Sequence, residues 1–467
     1  MHRRDFLGLT GAMALAPLLP LPLRAEGVPD HVIRAAPSTA KLMGPGKPST
    51  AVWAFGGSNP GPLLRIPRGK PVHIRLENAL SEPTSVHWHG IRIDNAMDGV
   101  SGFTQPPVKP GESFDYRFTA PDAGTYWYHS HFRSWEQIDR GLYGALIVEE
   151  DVPVAVDHDL LFIADDWLLG DDGVIAEGFG NVHDAAHGGR MGNWLTVNGD
   201  TRPTFPVRPG SRVRLRCISA TNARIMGFAF PGLEPMLAAV DGQPLEKPVL
   251  LSGALELAPS QRADLIIDIP TTSGVTLDIH EVSAGEPLVA AAFAVAGPAV
   301  RNTADREPLA LPANPLSGLK PDLDSAQHVD LLMEGGAMGG MRQAMHGGQM
   351  FDMRTLIMEK GQAWALNGVA GHHEGPLAVI RKGRTLTVNM INETRWPHAM
   401  HMHGHHFRVI ERNGKPVADA PWRDTELVGI GEKVRVAFVA DNPGKWLLHC
   451  HMLEHHMAGM GTWIDVA

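Results

Sequence analysis

Residues 444–460 read GKWLLHCHMLEHHMAGM, in which the candidate copper ligands are His449, Cys450, His451, His455 and Met460. Alternate side chains of an extended strand point to opposite faces, so Cys450 faces one way and the histidines on either side of it face the other. A thiolate, imidazoles and a weak axial thioether form the ligand set of a blue-copper electron-transfer site. The pattern therefore predicts a strand that holds copper on both faces and passes single electrons from one metal centre to another.

The first third of the chain repeats this pattern. Residues 124–131, GTYWYHSH, parallel residues 444–451, GKWLLHCH, and an HxHG motif precedes each copy. The four HxH pairs are His87 and His89, His129 and His131, His401 and His403, and His449 and His451. Eight imidazoles from two copies of one domain suit a three-copper cluster at the interface between the copies. A fainter copy of an upstream strand, at residues 210–219, has no histidine pair after it, which predicts a middle domain that kept the fold without the metal.

Strand signals dominate the whole chain. Short apolar and polar alternations, such as residues 114–118 and 434–438, are separated by turn residues at intervals typical of β-sandwiches. The 51 Gly and 37 Pro residues also favour turn-rich β structure. We predict an all-β chain with three Greek-key β-sandwich domains, at residues 26–150, 151–300 and 326–467. Residues 301–325 are rich in Pro, Ala and Asn and are predicted to be a linker.

The N-terminus has the features of an export signal. Arg3 and Arg4 precede an apolar run and a cleavage site after Ala25, which is typical of a twin-arginine signal at residues 1–25. A general secretory signal with two chance arginines is the alternative. We expect a periplasmic or otherwise exported protein. Prolines interrupt the apolar run, so we expect no membrane anchor, and the net charge of −10 argues against a nucleic-acid partner. A monomer is the default expectation.

The histidine motifs together resemble those of three-domain multicopper oxidases, the family of laccases and bacterial cuprous oxidases. They stand here as HWHG at 87–90, HSH at 129–131, HxxHxHG at 398–404 and HCHxxxHxxxGM at 449–460. The resemblance covers the whole mature chain and implies cupredoxin-like domains, four copper ions and reduction of dioxygen to water. It assigns the type 1 copper to His398, Cys450, His455 and Met460, and the type 2 copper to His87 and His401. It assigns the type 3 pair to His89, His129, His131, His403, His449 and His451.

Two residues near these ligands are candidates for proton delivery. Many bacterial members of the family carry an acidic residue directly after the second type 1 histidine, where this chain has His456. An imidazole titrates near neutrality and can also shuttle protons. Asp98, eleven residues after His87, matches the family's acidic residue near the type 2 copper. We therefore predict catalytic roles for Asp98 and His456.

A methionine-rich segment precedes the third histidine motif. Thioethers are soft ligands that favour Cu(I). The residues that we predict as possible ligands of substrate Cu(I) are Met333, Met338, Met341, Met345, His346, Met350 and Met353. The alternatives are a flexible apolar lid over the type 1 site and irregular core packing. Thr394 and Trp396 stand where cuprous oxidases have an Asp and a Met that bind substrate copper, and Trp396 in that position favours organic reductants.

The leading functional prediction is a copper-dependent oxidoreductase. It would couple one-electron oxidation of phenols, aromatic amines or Cu(I) to the four-electron reduction of dioxygen. A periplasmic copper-tolerance protein that mainly binds or oxidises Cu(I) is the alternative. A copper nitrite reductase needs only type 1 and type 2 copper, and the intact type 3 ligand set argues against it.

Overall fold

A computed structural model describes residues 27–302, 307–371 and 374–467, and the predicted export signal lies outside these ranges. Strands make up most of the regular structure in the described residues, which confirms the predicted all-β class. None of the helices in these ranges has the length and apolar character needed to span a bilayer.

The first third builds two sheets around one core. Its strands are β1 (His31–Ala40), β2 (Thr50–Phe55), β3 (Gly61–Pro67), β4 (Pro71–Asn78), β5 (Val86–His89), β6 (Ser113–Thr119), β7 (Gly124–Ser130) and β8 (Tyr143–Glu149), and its helix is α1 (Ser134–Gln137). The sheet orders are β2-β1-β4-β6 and β3-β8-β7-β5. Every second residue of β4 is apolar, and Val72, Ile74 and Leu76 are buried against Trp88 of β5 and Tyr116 of β6. The two-residue period therefore decides which side of the strand enters the core.

The middle third repeats this arrangement. Its strands are β9 (His158–Trp167), β10 (Trp194–Val197), β11 (Thr204–Val207), β12 (Arg212–Ser219), β13 (Met226–Ala229), β14 (Met236–Val240), β15 (Gln243–Leu250), β16 (Leu255–Leu257), β17 (Arg262–Asp268), β18 (Val275–Glu281) and β19 (Leu288–Val295). They form sheets in the orders β10-β9-β12-β17-β14-β15 and β11-β19-β18-β13-β16. A short helix, α2 (Val182–Ala186), lies in the connection between β9 and β10.

The last third contains the remaining strands. They are β20 (Gln327–Gly335), β21 (Gln343–His346), β22 (Gln349–Asp352), β23 (Trp364–Leu366), β24 (Ala378–Ile380), β25 (Thr385–Asn392), β26 (His398–Met402), β27 (Phe407–Arg412), β28 (Lys415–Pro416), β29 (Trp422–Arg423), β30 (Thr425–Val428), β31 (Lys433–Val439), β32 (Gly444–Cys450) and β33 (Gly461–Val466). The helices are α3 (Met353–Lys360) and α4 (Leu453–Met457). The main sheets run β23-β20-β25-β31-β27-β28, with β29 also paired to β27, and β24-β33-β32-β26-β30. β21 and β22 form a separate hairpin.

The sequence repeat has a counterpart in strand register. In the first third, His87 of β5 lies opposite His129 of β7. In the last third, His401 of β26 lies opposite His449 of β32 in the same antiparallel manner. The two copies therefore present their histidine pairs from equivalent positions of equivalent strands.

The segment predicted as a linker is packed against the body of the protein where the structure describes it. Leu311 and Leu316 are buried. The Asn314 side chain accepts a hydrogen bond from the Ala123 amide at 2.9 Å and donates one to the Ala123 carbonyl at 2.7 Å. These contacts attach the connecting segment, which leads to the last third, to the first third of the chain.

Candidate metal centres

The eight histidines of the four HxH pairs meet in one buried group between the first and last thirds, which we call the histidine cluster. None of them is more than 6% exposed. They lie on β5, β7, β26 and β32 or directly after these strands. Three overlapping sets have ligand atoms within 4.8 Å of one another, namely His87 with His401 and His403, His87 with His89 and His129, and His131 with His403 and His449. The structure thus brings together side chains that are more than 300 residues apart in the chain.

Backbone carbonyl groups orient four of these imidazoles. Nδ1 of His87 donates to the carbonyl of Asp98 at 2.8 Å, and Nδ1 of His401 donates to the carbonyl of Asp424 at 3.0 Å. His129 and His449 donate in the same way to the carbonyl of the residue that follows each of them, at 3.0 and 2.9 Å. A proton held at Nδ1 leaves the lone pair at Nε2 free for a metal ion.

Several ring nitrogens inside the cluster have no hydrogen-bond partner among the described residues. These buried atoms are Nε2 of His87, His131 and His401, and Nδ1 of His451. Burial lowers the pKa values of His89, His129, His131, His401, His403, His449 and His451. The rings are therefore neutral at pH 7, and an unpaired buried acceptor costs about 1–3 kcal/mol. Copper ions, which imidazoles bind well, would satisfy these atoms, so the donor set fits the metal that the sequence predicts.

A second group, the Cys450 site, lies on the other face of β32, where His398, Cys450 and His455 face one another and Met460 is the predicted fourth ligand. Nδ1 of His398 and Nδ1 of His455 are 3.1 Å apart, and they lie 3.7 and 3.8 Å from Cys450 Sγ. Met460 is fully buried in the same core. Burial raises the pKa of the Cys450 thiol to about 12, so a thiolate at this position requires a nearby cation. The three facing donor atoms provide a place for one.

The outer nitrogens of the two imidazoles in the Cys450 site are held by protein groups. Nε2 of His398 lies 2.8 Å from the hydroxyl of Thr394. Nε2 of His455 donates to the backbone carbonyl of His187, 2.7 Å away, in the middle third. Both hydrogen bonds direct Nδ1 towards Cys450.

Ser130 occupies the position in β7 that Cys450 occupies in β32. Its hydroxyl lies 2.5 Å from the side-chain oxygen of Gln137 and 3.3 Å from the hydroxyl of Thr84. The first copy therefore has a polar hydrogen-bonded group where the last copy has a sulfur ligand. This difference explains why the sequence predicts a blue-copper site in the last third alone.

A buried ion pair beside the histidine cluster was not predicted from the sequence. Arg262 of β17 donates to the carboxylate of Asp424 at 2.5 and 2.8 Å, and both residues are fully buried. The same carboxylate accepts from Nε2 of His89 at 3.2 Å. Burial alone would raise the pKa of Asp424, but the Arg262 guanidinium outweighs it and holds the pKa well below its usual range. The middle third thus supplies a charge that holds Asp424 beside a cluster histidine.

The glycine of the first HxHG motif is explained by this ion pair. Gly90 has φ of +84°, and a Cβ atom there would lie 2.3 Å from a nitrogen of Arg262 and 2.5 Å from an oxygen of Asp424. Gly404, its counterpart in the last third, has φ of +65°, and a Cβ atom there would lie 2.3 Å from the Trp446 ring. Both motifs need glycine for conformation and for space.

The predicted proton-delivery residues lie against cluster histidines. The buried carboxylate of Asp98 lies 3.0 Å from Nδ1 of His403 and 3.2 Å from Nδ1 of His87. The His456 ring is 4.2 Å from the His449 ring, and burial lowers its pKa to about 4. A cavity of about 470 Å³ is lined by His456 and by His131 of the cluster. His456 therefore lies beside the cluster, on the wall of a cavity that His131 of the cluster also lines.

The residues of the methionine-rich segment differ in how deeply they are buried. Met333 is fully buried and packs in the core of the last third, which corrects its inclusion among residues that could meet soluble Cu(I). Met341 and Met353 pack in a small apolar group with Phe351. His346 is held by its Nδ1 hydrogen bond to the Ala370 carbonyl. The exposed members are Met338, at 75%, Met345, at 41%, and Met350, at 54%.

These features define a class of protein: cupredoxin-like β-sandwiches with one cysteine-containing donor group and one histidine cluster that fit copper. Multicopper oxidase family models match residues 38–152 and 344–467, which together are more than half of the chain. The chain belongs to the multicopper oxidase family and is a copper-dependent oxidoreductase that uses dioxygen.

Three relatives illustrate the similarity. Multicopper oxidase MmcO of Mycobacterium tuberculosis is 30% identical over 90% of this chain and 84% of its own length. The crystal structure of a multi-copper oxidase from Pseudomonas thermotolerans matches with a TM-score of 0.81 and 34% identity, over 93% of this chain and 98% of that one. Lac15 from a marine microbial metagenome matches with a TM-score of 0.75 and 38% identity, over 93% of this chain and 99% of that one.

We expect Arg262→Met to destabilise the protein by about 3–5 kcal/mol, because it leaves the buried Asp424 carboxylate without its cation. The control is Arg65→Met, which removes a 39% exposed side chain paired with Glu149 and Asp159 and should cost less than about 1 kcal/mol. Urea unfolding followed by tryptophan fluorescence measures both. We also expect Arg262→Met to lose more copper from the histidine cluster than from the Cys450 site. Equal unfolding midpoints for the two variants would contradict this account.

Proposed function

We propose that this chain is an exported oxidase that binds four copper ions and couples one-electron oxidation of phenols and aromatic amines to reduction of dioxygen to water. The Cys450 site would hold the type 1 copper, and His87 and His401 the type 2 copper. The other residues of the histidine cluster would hold the type 3 pair. When bound, copper takes single electrons from a donor and supplies four of them to dioxygen.

The observation that carries this proposal is the placement of three consecutive residues on β32. Cys450 Sγ belongs to one ligand group, whereas His449, its covalent neighbour, belongs to the other. The imidazole of His451, on the other side of Cys450, lies 3.5 Å from Nε2 of His129 in the histidine cluster. The backbone of β32 is therefore a covalent connection between a donor-side centre and an oxygen-side centre.

Two side chains are proposed to deliver protons to the oxygen-side centre. The position of Asp98 supports this role, because its carboxylate contacts two cluster histidines and the residue is 2% exposed. The position of His456 supports the same role, because its ring contacts His449 and lines the cavity that reaches the cluster. A neutral imidazole can accept a proton at one nitrogen while it releases one from the other.

The cellular setting is also a proposal. The Arg3-Arg4 signal supports export to the periplasm or beyond. The negative net charge supports a soluble enzyme without a nucleic-acid or membrane partner, and we propose a monomer.

A second candidate donor is Cu(I), and the exposed thioethers of Met338, Met345 and Met350 favour it. These residues lie in and before the β21–β22 hairpin, where Met345 pairs with Met350 across the turn. Two sulfur atoms on neighbouring strands at the surface are a suitable place to collect a soft metal ion. In that case the enzyme would act in copper tolerance.

Copper loading should give four ions per chain, a blue absorption band and oxygen uptake with 2,6-dimethoxyphenol. Cys450→Ser should bind one ion fewer and lose both the blue band and phenol oxidation, because a hydroxyl does not replace the thiolate. Metal analysis and visible spectroscopy measure these changes. Cys217→Ala, which removes the other buried free thiol, is the control and should keep all three properties. A blue band that survives Cys450→Ser would refute the assignment.

Asp98→Asn should slow reoxidation of the reduced enzyme by about a hundredfold, because the amide cannot donate the proton that oxygen reduction consumes. The blue absorption of the resting enzyme should be unchanged. Stopped-flow mixing of the reduced enzyme with oxygenated buffer, followed by the return of the blue band, measures the rate. Asp94→Asn, at an exposed position in the same turn, is the matched control. If the Asp98→Asn variant is reoxidised at the wild-type rate, Asp98 does not deliver the proton.

A triple substitution of Met338, Met345 and Met350 by Leu distinguishes Cu(I) from aromatic compounds as the electron donor. If these thioethers collect Cu(I), the variant should oxidise Cu(I) several-fold more slowly and oxidise 2,6-dimethoxyphenol at the wild-type rate. Oxygen consumption with each donor measures both. Met358→Leu, which changes another exposed methionine on α3, is the control. Unchanged Cu(I) oxidation in the triple variant would leave aromatic compounds as the supported donors.

A further inference from the structure

The ligand rings of the Cys450 site are closed off from solvent. His398 and His455 are both 0% exposed. The Trp364 ring packs 5.0 Å from His398 and 4.4 Å from His455. The remaining outward nitrogen of His455 is covered by the His187 carbonyl, to which it donates at 2.7 Å. A donor molecule therefore cannot touch either ligand ring, and the electron must cross at least one other residue.

The hydrogen bond from His455 leads to an aromatic pair at the surface. His187 directly follows α2, and its ring stacks on the ring of His183 with centroids 4.3 Å apart and planes 13° apart. The His183 side chain is 78% exposed. A continuous series of contacts thus runs from solvent through His183 and His187 to a ligand of the Cys450 site.

The surroundings of this pair are apolar and aromatic. Trp396 lies edge-on to His187 with ring centroids 5.6 Å apart, and it is only partly buried. Met191 and Trp396 both lie close to Gly188, since a Cβ atom at that glycine would be 3.1 Å from one and 3.2 Å from the other. Met191 is 44% exposed. A flat apolar molecule would find both a stacking face and apolar sides here.

We propose that His183 and His187 form the port through which aromatic donors reduce the Cys450 site, with the donor ring stacked on the exposed face of His183. The inference rests on the proposed oxidase function and names its substrate class. A phenol bound there would give one electron, by way of His187 and His455, to the copper ion that the Cys450 site would hold, and would leave as a phenoxyl radical. Its O–H bond breaks at the same time, and the proton goes to water. Dioxygen, which the enzyme reduces, is the final oxidant.

The geometry argues against a metal ion as the occupant of this port. The lone pairs of an imidazole lie in the plane of its ring, so two nearly parallel rings do not direct their nitrogens at one ion. Nδ1 of His187 already donates to the His183 carbonyl at 2.8 Å. One oxygen of Asp184 lies 3.5 Å from Nδ1 of His183, and the other accepts a hydrogen bond from the Asn181 side chain at 2.6 Å. The side chain of His183 is 78% exposed, which leaves its ring accessible for stacking.

The first test measures binding without turnover. Copper-loaded protein is reduced under nitrogen and titrated with 4-fluoroanisole, which cannot donate a phenolic proton, while fluorine NMR follows binding. His183→Ala should weaken binding by about tenfold because it removes the stacking face. His183→Phe keeps a ring and should bind like the wild type. His328→Ala, at an exposed histidine of β20, is the control.

The second test follows bleaching of the blue band by 2,6-dimethoxyphenol without oxygen. His183→Ala should slow bleaching by about tenfold, with copper content and the blue spectrum unchanged, and His183→Phe should restore most of the rate. The proposed port would be overturned if His183→Ala bound 4-fluoroanisole and bleached at the wild-type level. It would also be overturned if His183→Phe bleached as slowly as His183→Ala. Failure of the proposed function looks different, because then the wild-type protein itself would show no blue band or no oxygen uptake with the phenol.

Discussion

The two-residue period of an extended strand is the constraint on which both metal centres depend. On β32, Cys450 faces one centre and His449 faces the other because they are adjacent. The same rule acts on the neighbouring strand β26, where Met400 lies opposite Cys450 and His401 lies opposite His449. His398 therefore joins the Cys450 site, whereas His401, three residues later, joins the histidine cluster. A shift of one residue in this pairing would move every ligand to the wrong side.

The middle third has no ligand in either centre, yet it contacts both. Arg262 neutralises Asp424 beside the histidine cluster, and the His187 carbonyl fixes the ring of His455 in the Cys450 site. The His187 carbonyl accepts directly from the outer nitrogen of His455, whereas Arg262 acts through Asp424, which accepts from the outer nitrogen of His89. Protein groups beyond the ligands tune metal sites in this way. The middle third therefore positions groups in both centres.

Local sequence patterns predicted the strands and the ligands because both follow short rules. Alternation over a few residues identifies β4 and β32, and the HxH spacing places two imidazoles on one face of a strand. The residues that orient the ligands follow no such rule. Arg262 and Asp424 are 162 positions apart and meet only after two domains dock. His187 acts through its backbone carbonyl, which no side-chain motif can reveal. The burial of Met333 likewise depends on the parallel pairing of β20 with β25, a contact between distant segments.

Asp98 and Asp424 have matching positions in the two copies. Each orients the first HxHG histidine of its own copy through a backbone carbonyl, His87 for Asp98 and His401 for Asp424. Each carboxylate also contacts the second HxHG histidine of the other copy, so that Asp98 meets His403 and Asp424 meets His89. This exchange ties the two copies together around the metal ligands.

The symmetry between these two carboxylates ends at their charge partners. Asp424 is paired with Arg262, which keeps its pKa well below the usual range, so it stays ionised and cannot carry a proton. Among the described residues, Asp98 forms ion pairs only with histidines. The arginine of the middle third therefore distinguishes two otherwise equivalent acids, because it holds Asp424 as a fixed anion beside His89, whereas Asp98 faces only imidazoles.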